Sequence, residues 1–248
     1  RGDRMKVLCI IPARYASTRL PGKPLRDIAG KPMIVRVYER AVQAQRVHEV
    51  VVATDDERIR AAVEEHGGHA VMTRADHATG TDRLAEVAAQ RPDCDLIINV
   101  QGDEPLIDPA VIDALVAPFE HDDALMMATA KTEITDAAEM ENPNNVKVVT
   151  DRTGNALYFS RARIPYARNV GAKVYKHIGI YAYRRDFLLT YAKMQQTELE
   201  CSESLEQLRA LENGYRIRVV ATDAVFIGVD TEEDLAAVNA EYRRQGID

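Results

Sequence analysis

Short apolar segments alternate with amphipathic segments along the first half of the chain. Val7–Ile11, Val50–Thr54 and Asp95–Val100 are rich in apolar and β-branched residues, as buried strands are. From Ile34 to Ala44, apolar residues recur every three or four positions, which predicts a helix with one buried face. Strands that alternate with helices in this order predict an α/β protein with a three-layer, doubly wound, mostly parallel sheet.

The pattern changes after residue 130. Val146–Thr150 and Ala156–Ser160 flank the sequence DRTG, which is typical of the turn of a β-hairpin. A third segment, His177–Tyr183, alternates between polar and apolar residues as a strand does. These segments predict a small antiparallel region within the otherwise parallel fold.

Helical patterns return in the last quarter of the chain. The spacing predicts one helix over Ser202–Glu212 and a short strand at Val225–Val229, followed by a closing helix. We therefore predict a core formed by residues 5–130 and 184–248, with an antiparallel insert, or lid, at 131–183.

Composition excludes several classes of protein. The chain has 248 residues and a net charge of −7, whereas nucleic-acid-binding domains are usually basic. No segment approaches the roughly 18 consecutive apolar residues of a membrane span. Cys9, Cys94 and Cys201 are too scattered for a disulfide framework or a zinc site. We expect a cytoplasmic protein that binds neither nucleic acid nor membrane.

A segment with three positive charges follows the first predicted strand. It begins LCIIPARYASTRLPGK at Leu8, so Arg14, Arg19 and Lys23 lie among small and turn-forming residues. Open α/β sheets hold ligands at the carboxyl ends of their strands, and such cations suit a polyphosphate. A solvated basic loop is the alternative. Neither of the common glycine-rich nucleotide fingerprints is present.

Two acidic residues lie where a metal ion would be held. Asp103 follows the central predicted strand and a glycine, and Asp230 follows the last predicted strand. Two carboxylates from separate strand ends can bind one Mg²⁺ and leave coordination positions for phosphate oxygens and water. The alternatives are a turn aspartate at 103 and, at 230, a residue that with Thr231 only caps the last helix.

Several polar residues of the second half have two interpretations. A histidine on an alternating strand, such as His177, is more often structural than catalytic. Glu206 and Gln207 belong to the polar face of a predicted helix, which is usually a solvated face. Arg161 follows a predicted strand and fits a surface position equally well.

Eight motifs span nearly the whole chain and occur in the order found in one enzyme family. They are IIPARYASTRLPGKPL, MTRADHATGTDRLAE, NVQGDEPLI, NPNNVKVV, ALYFSRARIP, HIGIYAYR, LEQLRALENG and GVDTEEDL. The set resembles the CMP-KDO synthetases, the 3-deoxy-D-manno-octulosonate (KDO) cytidylyltransferases. The resemblance implies a GT-A, or nucleotide-diphospho-sugar transferase, fold. It also implies transfer of CMP from CTP to KDO, with release of pyrophosphate, for lipopolysaccharide biosynthesis.

The resemblance also implies roles for individual residues. Arg14, Lys23, Asp103 and Asp230 would be catalytic, and the two aspartates would bind Mg²⁺. The implied nucleotide contacts are Arg14, Ser17, Arg19, Lys23, Arg74, Thr79, Gly80, Asp82 and Gln101. The implied sugar contacts are Gln101, Arg161, His177, Tyr181, Glu206 and Gln207. In this scheme the arginine and the histidine bind the sugar carboxylate, and the Glu-Gln pair binds hydroxyls.

The resemblance further implies a homodimer formed through the insert, and it leaves the sugar open. Thr79 stands where the family usually has serine, and the segment between Pro165 and His177 is shorter than usual. The alternative substrate is 8-amino-KDO or another 2-keto-3-deoxy sugar acid, such as sialic acid. The alternative outside the enzymes is a silent nucleotide-binding module on the same fold.

Overall fold

The computed structural model describes residues 4–247, which form two compact units. The first unit contains the chain up to Asp113 and the residues from Val225 onward, and the second contains Ala114–Ala224. In chain order, the elements are β1 (Val7–Ala13), β2 (Asp27–Ile28), β3 (Lys31–Pro32), α1 (Met33–Ala41), β4 (Glu49–Thr54), α2 (Glu57–Glu65), β5 (Ala70–Met72), α3 (Gly80–Ala89), β6 (Leu96–Asn99), α4 (Pro109–Val116), β7 (Met127–Ile134), α5 (Ala137–Glu141), β8 (Lys147–Thr150), β9 (Ala156–Ser160), β10 (Val174–Arg184), α6 (Arg185–Ala192), α7 (Glu198–Glu203), α8 (Leu208–Glu212), β11 (Ile217–Ala221) and α9 (Glu232–Gln245).

Parallel strands form the sheet of the first unit, in the order β6–β1–β4–β5. The apolar run at the start of β1 is fully buried, as expected for an inner strand of a parallel sheet. After β1 the chain continues through β4 to β5, and it then returns through α3 to β6 on the other side of β1. The carboxyl ends of β1 and β6 therefore flank a topological switch point, where open α/β sheets bind their ligands.

Antiparallel pairs characterise the second unit. β7 pairs in parallel with β11 and antiparallel with β10, and β8 pairs antiparallel with both β9 and β10. The predicted hairpin of β8 and β9 is present, and Asp151 Oδ1 accepts hydrogen bonds from the backbone N–H groups of Thr153 and Asn155 in its turn. The predicted α/β class, with a mostly parallel sheet and a small antiparallel part, is confirmed.

Two predicted elements of the last quarter are wrong. The helix predicted over 202–212 is interrupted at Ser204, whose φ of 53° ends α7 and turns Leu205 into the core. The strand predicted at 225–229 is irregular backbone, and Val225 is largely exposed. Its last residue is nevertheless fixed, because Val229 N donates to the backbone carbonyl of Asp103 at 2.9 Å.

The division into a core and an insert stays a prediction. The antiparallel pairs of β7 to β10 lie within the second unit, which begins before residue 131 and ends after residue 183. The last residue of the predicted core, 248, lies outside the described residues. Of the helices described, none is long and apolar enough to cross a membrane.

Candidate active site

A cavity of about 560 Å³ lies in the first unit at the carboxyl ends of β1 and β6. Its walls come from the loop after β1, the loop after β6 and the residue that precedes the N-terminal cap of α9. The lining residues are Pro12, Ala13, Arg14, Ala16, Ser17, Thr18, Arg19, Lys23, Pro24, Gln101, Gly102, Asp103 and Asp230. The structure thus brings the three predicted loop cations and both predicted carboxylates to one cavity.

The ring of Tyr15 lies against both Gly22 and Arg58 at the end of the basic loop, which we define as residues 14–22. Gly22 has a φ of 63°, which favours glycine, and a Cβ atom there would lie 3.1 Å from Tyr15 Oη. The guanidinium carbon of Arg58 lies 3.4 Å from the centre of the Tyr15 ring, and Asp56 pairs with that guanidinium. A short 3₁₀ turn begins directly after Gly22, so these contacts of Tyr15 help to set the position of Lys23.

Gly102 allows the loops after β1 and β6 to lie side by side. A Cβ atom at this position would lie 3.0 Å from the backbone carbonyl oxygen of Pro12 and 3.4 Å from Ile34 Cδ1. Glycine is therefore needed for a close approach of two backbones. That approach places Asp103 opposite the residues of the basic loop.

Lys23 lies between the two predicted carboxylates. Its Nζ is 3.2 Å from Asp103 Oδ2 and 3.3 Å from Asp230 Oδ1. Burial raises the pKa of the Asp103 carboxyl above its ordinary value, and the ammonium of Lys23 opposes this shift. Asp230 is the more exposed of the two carboxylates, and its side chain retains 60% of its accessible surface.

Asp230 does not act as the cap of α9. Thr231 Oγ1 accepts a hydrogen bond from Asp234 N, and Asp234 Oδ2 accepts from the N–H groups of both Asp230 and Thr231. This capping box satisfies the start of the helix. The carboxylate of Asp230 therefore faces Lys23, which favours the metal-site interpretation over the capping one.

The residues predicted beside cytidine lie on or just before α3. Gly80 is the first residue of the helix, and a Cβ atom there would lie 3.9 Å from Pro12 Cγ in the cavity wall. Thr79 caps α3 by accepting from Asp82 N at 3.1 Å, and the guanidinium of Arg74 pairs with Asp76 at 2.8 Å. None of these four predicted residues is itself part of the described cavity lining, and their role stays a prediction.

The remaining predicted residues belong to the second unit, where His177 is surrounded by other rings. Its ring centre lies 5.1 Å from that of Phe159 and 5.5 Å from that of Tyr181. Burial lowers the pKa of His177 to about 3, so the imidazole is neutral near pH 7. His177 Nε2 is 2.9 Å from Thr129 Oγ1, and the hydroxyl of Thr129 donates to the carbonyls of Ile178 and Ile180. The threonine oxygen then accepts from Nε2–H, which leaves Nδ1 of His177 as the acceptor nitrogen.

Arg161 donates to backbone carbonyls of the second unit. Its guanidinium N–H groups donate to the carbonyl oxygens of Glu203, Pro143 and Ser204 at 2.7, 3.1 and 3.2 Å. Its own N–H donates to the Glu203 carboxylate at 2.8 Å. Arg161 therefore joins the segment after β9 to the end of α7.

A hydrogen bond from Tyr191 orders the segment that contains two further predicted sugar contacts. Its hydroxyl donates to the backbone carbonyl of Glu206 at 2.9 Å, directly before the buried Gln207. Burial raises the pKa of Tyr181 above its ordinary value, and the nearby charge of Glu206 adds to this shift. Tyr181 is consequently a neutral hydrogen-bonding group.

Sequence reasoning missed Lys147 as a structural residue. Its side chain is fully buried, and Nζ donates to the carbonyls of Asn142, Asn145 and Arg161. A lysine in a short strand normally indicates an exposed position, so no simple pattern reveals this burial. No sequence pattern reveals the contact between Tyr15 and Arg58 either, because the two residues are far apart in sequence.

Comparisons with known proteins show the family to which this chain belongs. Residues 8–217 match the family model described as cytidylyltransferase. The 3-deoxy-manno-octulosonate cytidylyltransferase of Syntrophotalea carbinolica is 58% identical over 96% of this chain and 99% of its own length.

Solved structures are similar to this chain as well, one in sequence and fold and one in fold alone. The structure of CMP:2-keto-3-deoxy-manno-octonic acid synthetase complexed with CTP is 50% identical, with a TM-score of 0.93 over 97% of this chain and 99% of that one. A 4-diphosphocytidyl-2C-methyl-D-erythritol synthase from Anaerococcus prevotii has a TM-score of 0.65 at 14% identity, covers 98% of this chain and 100% of its own, and shares the fold alone.

Proposed function

Because this chain belongs to the 3-deoxy-manno-octulosonate cytidylyltransferase family, we infer that it transfers CMP from CTP to the anomeric 2-hydroxyl of KDO. The products are CMP-KDO and pyrophosphate, and the activated sugar serves lipopolysaccharide biosynthesis. The observation that carries this proposal is the cavity at the switch point, whose cations and carboxylates suit a metal-bound triphosphate.

The reaction needs positioning and charge neutralisation more than covalent chemistry. The sugar hydroxyl attacks the α-phosphorus of CTP in line, and pyrophosphate leaves from the opposite side. Arg14, Arg19 and Lys23 line the cavity and would hold the phosphate oxygens, and Ser17 and Gln101 would donate further hydrogen bonds.

Asp103 and Asp230 fit a resident Mg²⁺ ion. Their oxygens converge on one cation, the ammonium of Lys23, which stands in for a metal in the geometry of the pair. Carboxylate oxygens are the ligands that Mg²⁺ prefers, and this ion usually takes only one or two of them from protein. No larger group of candidate ligands occurs within residues 4–247, so phosphate oxygens and water would complete the shell. When bound, such an ion neutralises phosphate charge and lowers the pKa of a coordinated hydroxyl.

Cytidine would lie near the start of α3. Gly80 approaches the cavity wall at Pro12, and the exposed backbone of the first turn offers N–H groups to the base or ribose. Thr79, Asp82 and Arg74 are the further residues proposed for this contact.

We propose that residues of the second unit bind KDO. Arg161 supplies a permanent cation for the sugar carboxylate, and Tyr181, Glu206 and Gln207 supply neutral and anionic partners for hydroxyls. The neutral state of His177 favours a hydrogen bond from a sugar hydroxyl to Nδ1 over an ion pair with the carboxylate. We further propose a cytoplasmic homodimer that associates through the antiparallel strands and has small-molecule substrates only.

Pyrophosphate release from CTP tests the proposed function. The purified protein is supplied with Mg²⁺, CTP and, in separate reactions, KDO, 8-amino-KDO or a sialic acid. We expect the largest kcat/KM with KDO. A larger value with another sugar acid would reassign the substrate, and no release with any of the three would overturn the proposal in favour of a silent nucleotide-binding module.

A further inference from the structure

Lys23 has two carboxylate partners at nearly equal distances. Its Nζ lies 3.2 Å from Asp103 and 3.3 Å from Asp230, and its side chain is mostly buried, with 19% of its surface exposed. Tyr15 lies against Gly22 and supports the turn from which Lys23 extends. The lysine is thus held at the point where both carboxylates converge.

A metal ion and this ammonium compete for the same oxygens. Carboxylate oxygens bind Mg²⁺ at about 2.1 Å, and a second cation within hydrogen-bond distance of those oxygens would be repelled. Asp103 and Asp230 are the only protein ligands proposed for the ion, so no other donor is available to separate the two cations. Lys23 must therefore leave the pair when a divalent ion arrives.

The side chain of Lys23 is suited to such a movement. Lysine carries a compact charge on a flexible four-carbon chain, with three donors that are not restricted to one geometry. The cavity around it is lined by the basic loop, where the phosphates of CTP are proposed to bind. The displaced ammonium would find phosphate oxygens within the same cavity.

We propose that Lys23 is the internal counter-ion of Asp103 and Asp230 in the nucleotide-free enzyme and competes with divalent metal for them. This inference rests on the proposed function, since it takes the two aspartates as the metal ligands. Its consequence is that the free enzyme binds metal weakly, and that CTP strengthens metal binding by giving the ammonium another partner. By thermodynamic linkage, the metal ion must strengthen the binding of CTP by the same factor.

Binding of Mn²⁺ alone, measured by electron paramagnetic resonance without nucleotide, tests the competition. Lys23→Met and, as a second neutral variant, Lys23→Gln should bind Mn²⁺ roughly three- to tenfold more tightly than the wild type. Lys23→Arg should stay close to the wild type because it retains the charge. Arg26→Gln is the matched control, since Arg26 lies one turn further on and pairs with Glu232 instead. Equal affinities for Lys23→Met and Arg26→Gln would overturn the proposal.

Chemical labelling tests the displacement in the wild-type chain. Acetic anhydride should modify Lys23 several-fold faster when Mg²⁺ is added without nucleotide, because the ammonium is then expelled from its carboxylates. Lys31, which pairs with Glu39, serves as the internal reference. A rate for Lys23 that does not respond to Mg²⁺ would contradict the proposal.

Asp103→Asn separates this proposal from the proposed metal site. If that variant binds Mn²⁺ as tightly as the wild type, the aspartates are not the ligands, and both proposals fail at the metal site. If Asp103→Asn loses Mn²⁺ while the neutral variants of Lys23 gain nothing, only the competition is refuted.

Discussion

The cavity of the first unit and the proposed sugar contacts of the second unit hold their polar groups in different ways. In the cavity, Arg14 and Arg19 are exposed, and the buried part of the charge consists of one lysine shared by two carboxylates. In the second unit, Arg161 and His177 already have partners within the protein. The first region can therefore exchange its internal ion pairs for those of a charged ligand. The second region presents fixed polar groups, which suit the recognition of one sugar.

The largest effect is expected at Asp103, where function and stability should respond in opposite directions. Asp103→Asn should lower the rate of pyrophosphate release at limiting Mg²⁺ by about 100-fold or more, because one of two proposed anionic ligands is lost. Burial raises the pKa of Asp103 above that of the unfolded chain, so the protonated form stabilises the fold at low pH and this contribution is lost as the pH rises. Near pH 7 the ionised carboxylate therefore carries a cost, and Asp103→Asn should unfold at the same or a higher temperature.

Glu232→Gln provides the control for Asp103→Asn. Glu232 lies near Asp230 in sequence and pairs with Arg26, but it does not line the cavity. We expect its rate to stay within about twofold of the wild type, since exposed ion pairs contribute little. If Asp103→Asn released pyrophosphate at the wild-type rate, the proposed metal site of two carboxylates would be wrong. The contrast between the two regions would then be lost as well.

The second largest effect is expected on stability, at Lys147. Lys147→Met leaves three backbone carbonyls without their buried donor, which should lower the free energy of unfolding by about 2–3 kcal/mol. Lys176→Met is the matched control, because Lys176 pairs with Lys147 across the strands but is partly exposed. Urea denaturation measures the free energy of unfolding of both variants.

The same variant sharpens the comparison between the regions. Since Lys147 also holds the carbonyl of Arg161, Lys147→Met should raise the KM for KDO while the affinity for CTP measured without KDO stays unchanged. An equal loss of CTP binding would mean that the variant damages the whole chain, and the prediction would fail.

Sequence patterns predicted the cavity better than the second unit, for physical reasons. A basic segment after a buried strand and a Gly-Asp pair after another are local signals, and parallel strands bring such ends to one edge. Asp230 lines the cavity although the strand predicted before it is absent, because only its position before a helix matters. The interruption at Ser204 was hidden, since serine rarely adopts a positive φ. The burial of Lys147 is also hidden, because its partners are backbone carbonyls, which leave no trace in the pattern of side chains.

Near pH 7 the smallest effect is expected from His177, whose ring should make stability depend on pH below that value. Burial lowers the pKa of His177 to about 3, against about 6.5 for an unfolded chain. Between these values the unfolded chain takes up a proton that the folded chain does not, so the free energy of unfolding falls as the pH is lowered. The contribution of one such group is at most about 1.4 kcal/mol per pH unit, and it vanishes above pH 7. His177→Gln should remove this part of the slope in urea denaturations between pH 7.5 and 4.5. His121→Gln, at an exposed position, tests whether the loss of any histidine does the same. If His177→Gln retained the full wild-type slope, the pKa of His177 would be the same in the folded and unfolded chains, and the argument for a hydrogen bond from a sugar hydroxyl to a neutral ring would fail.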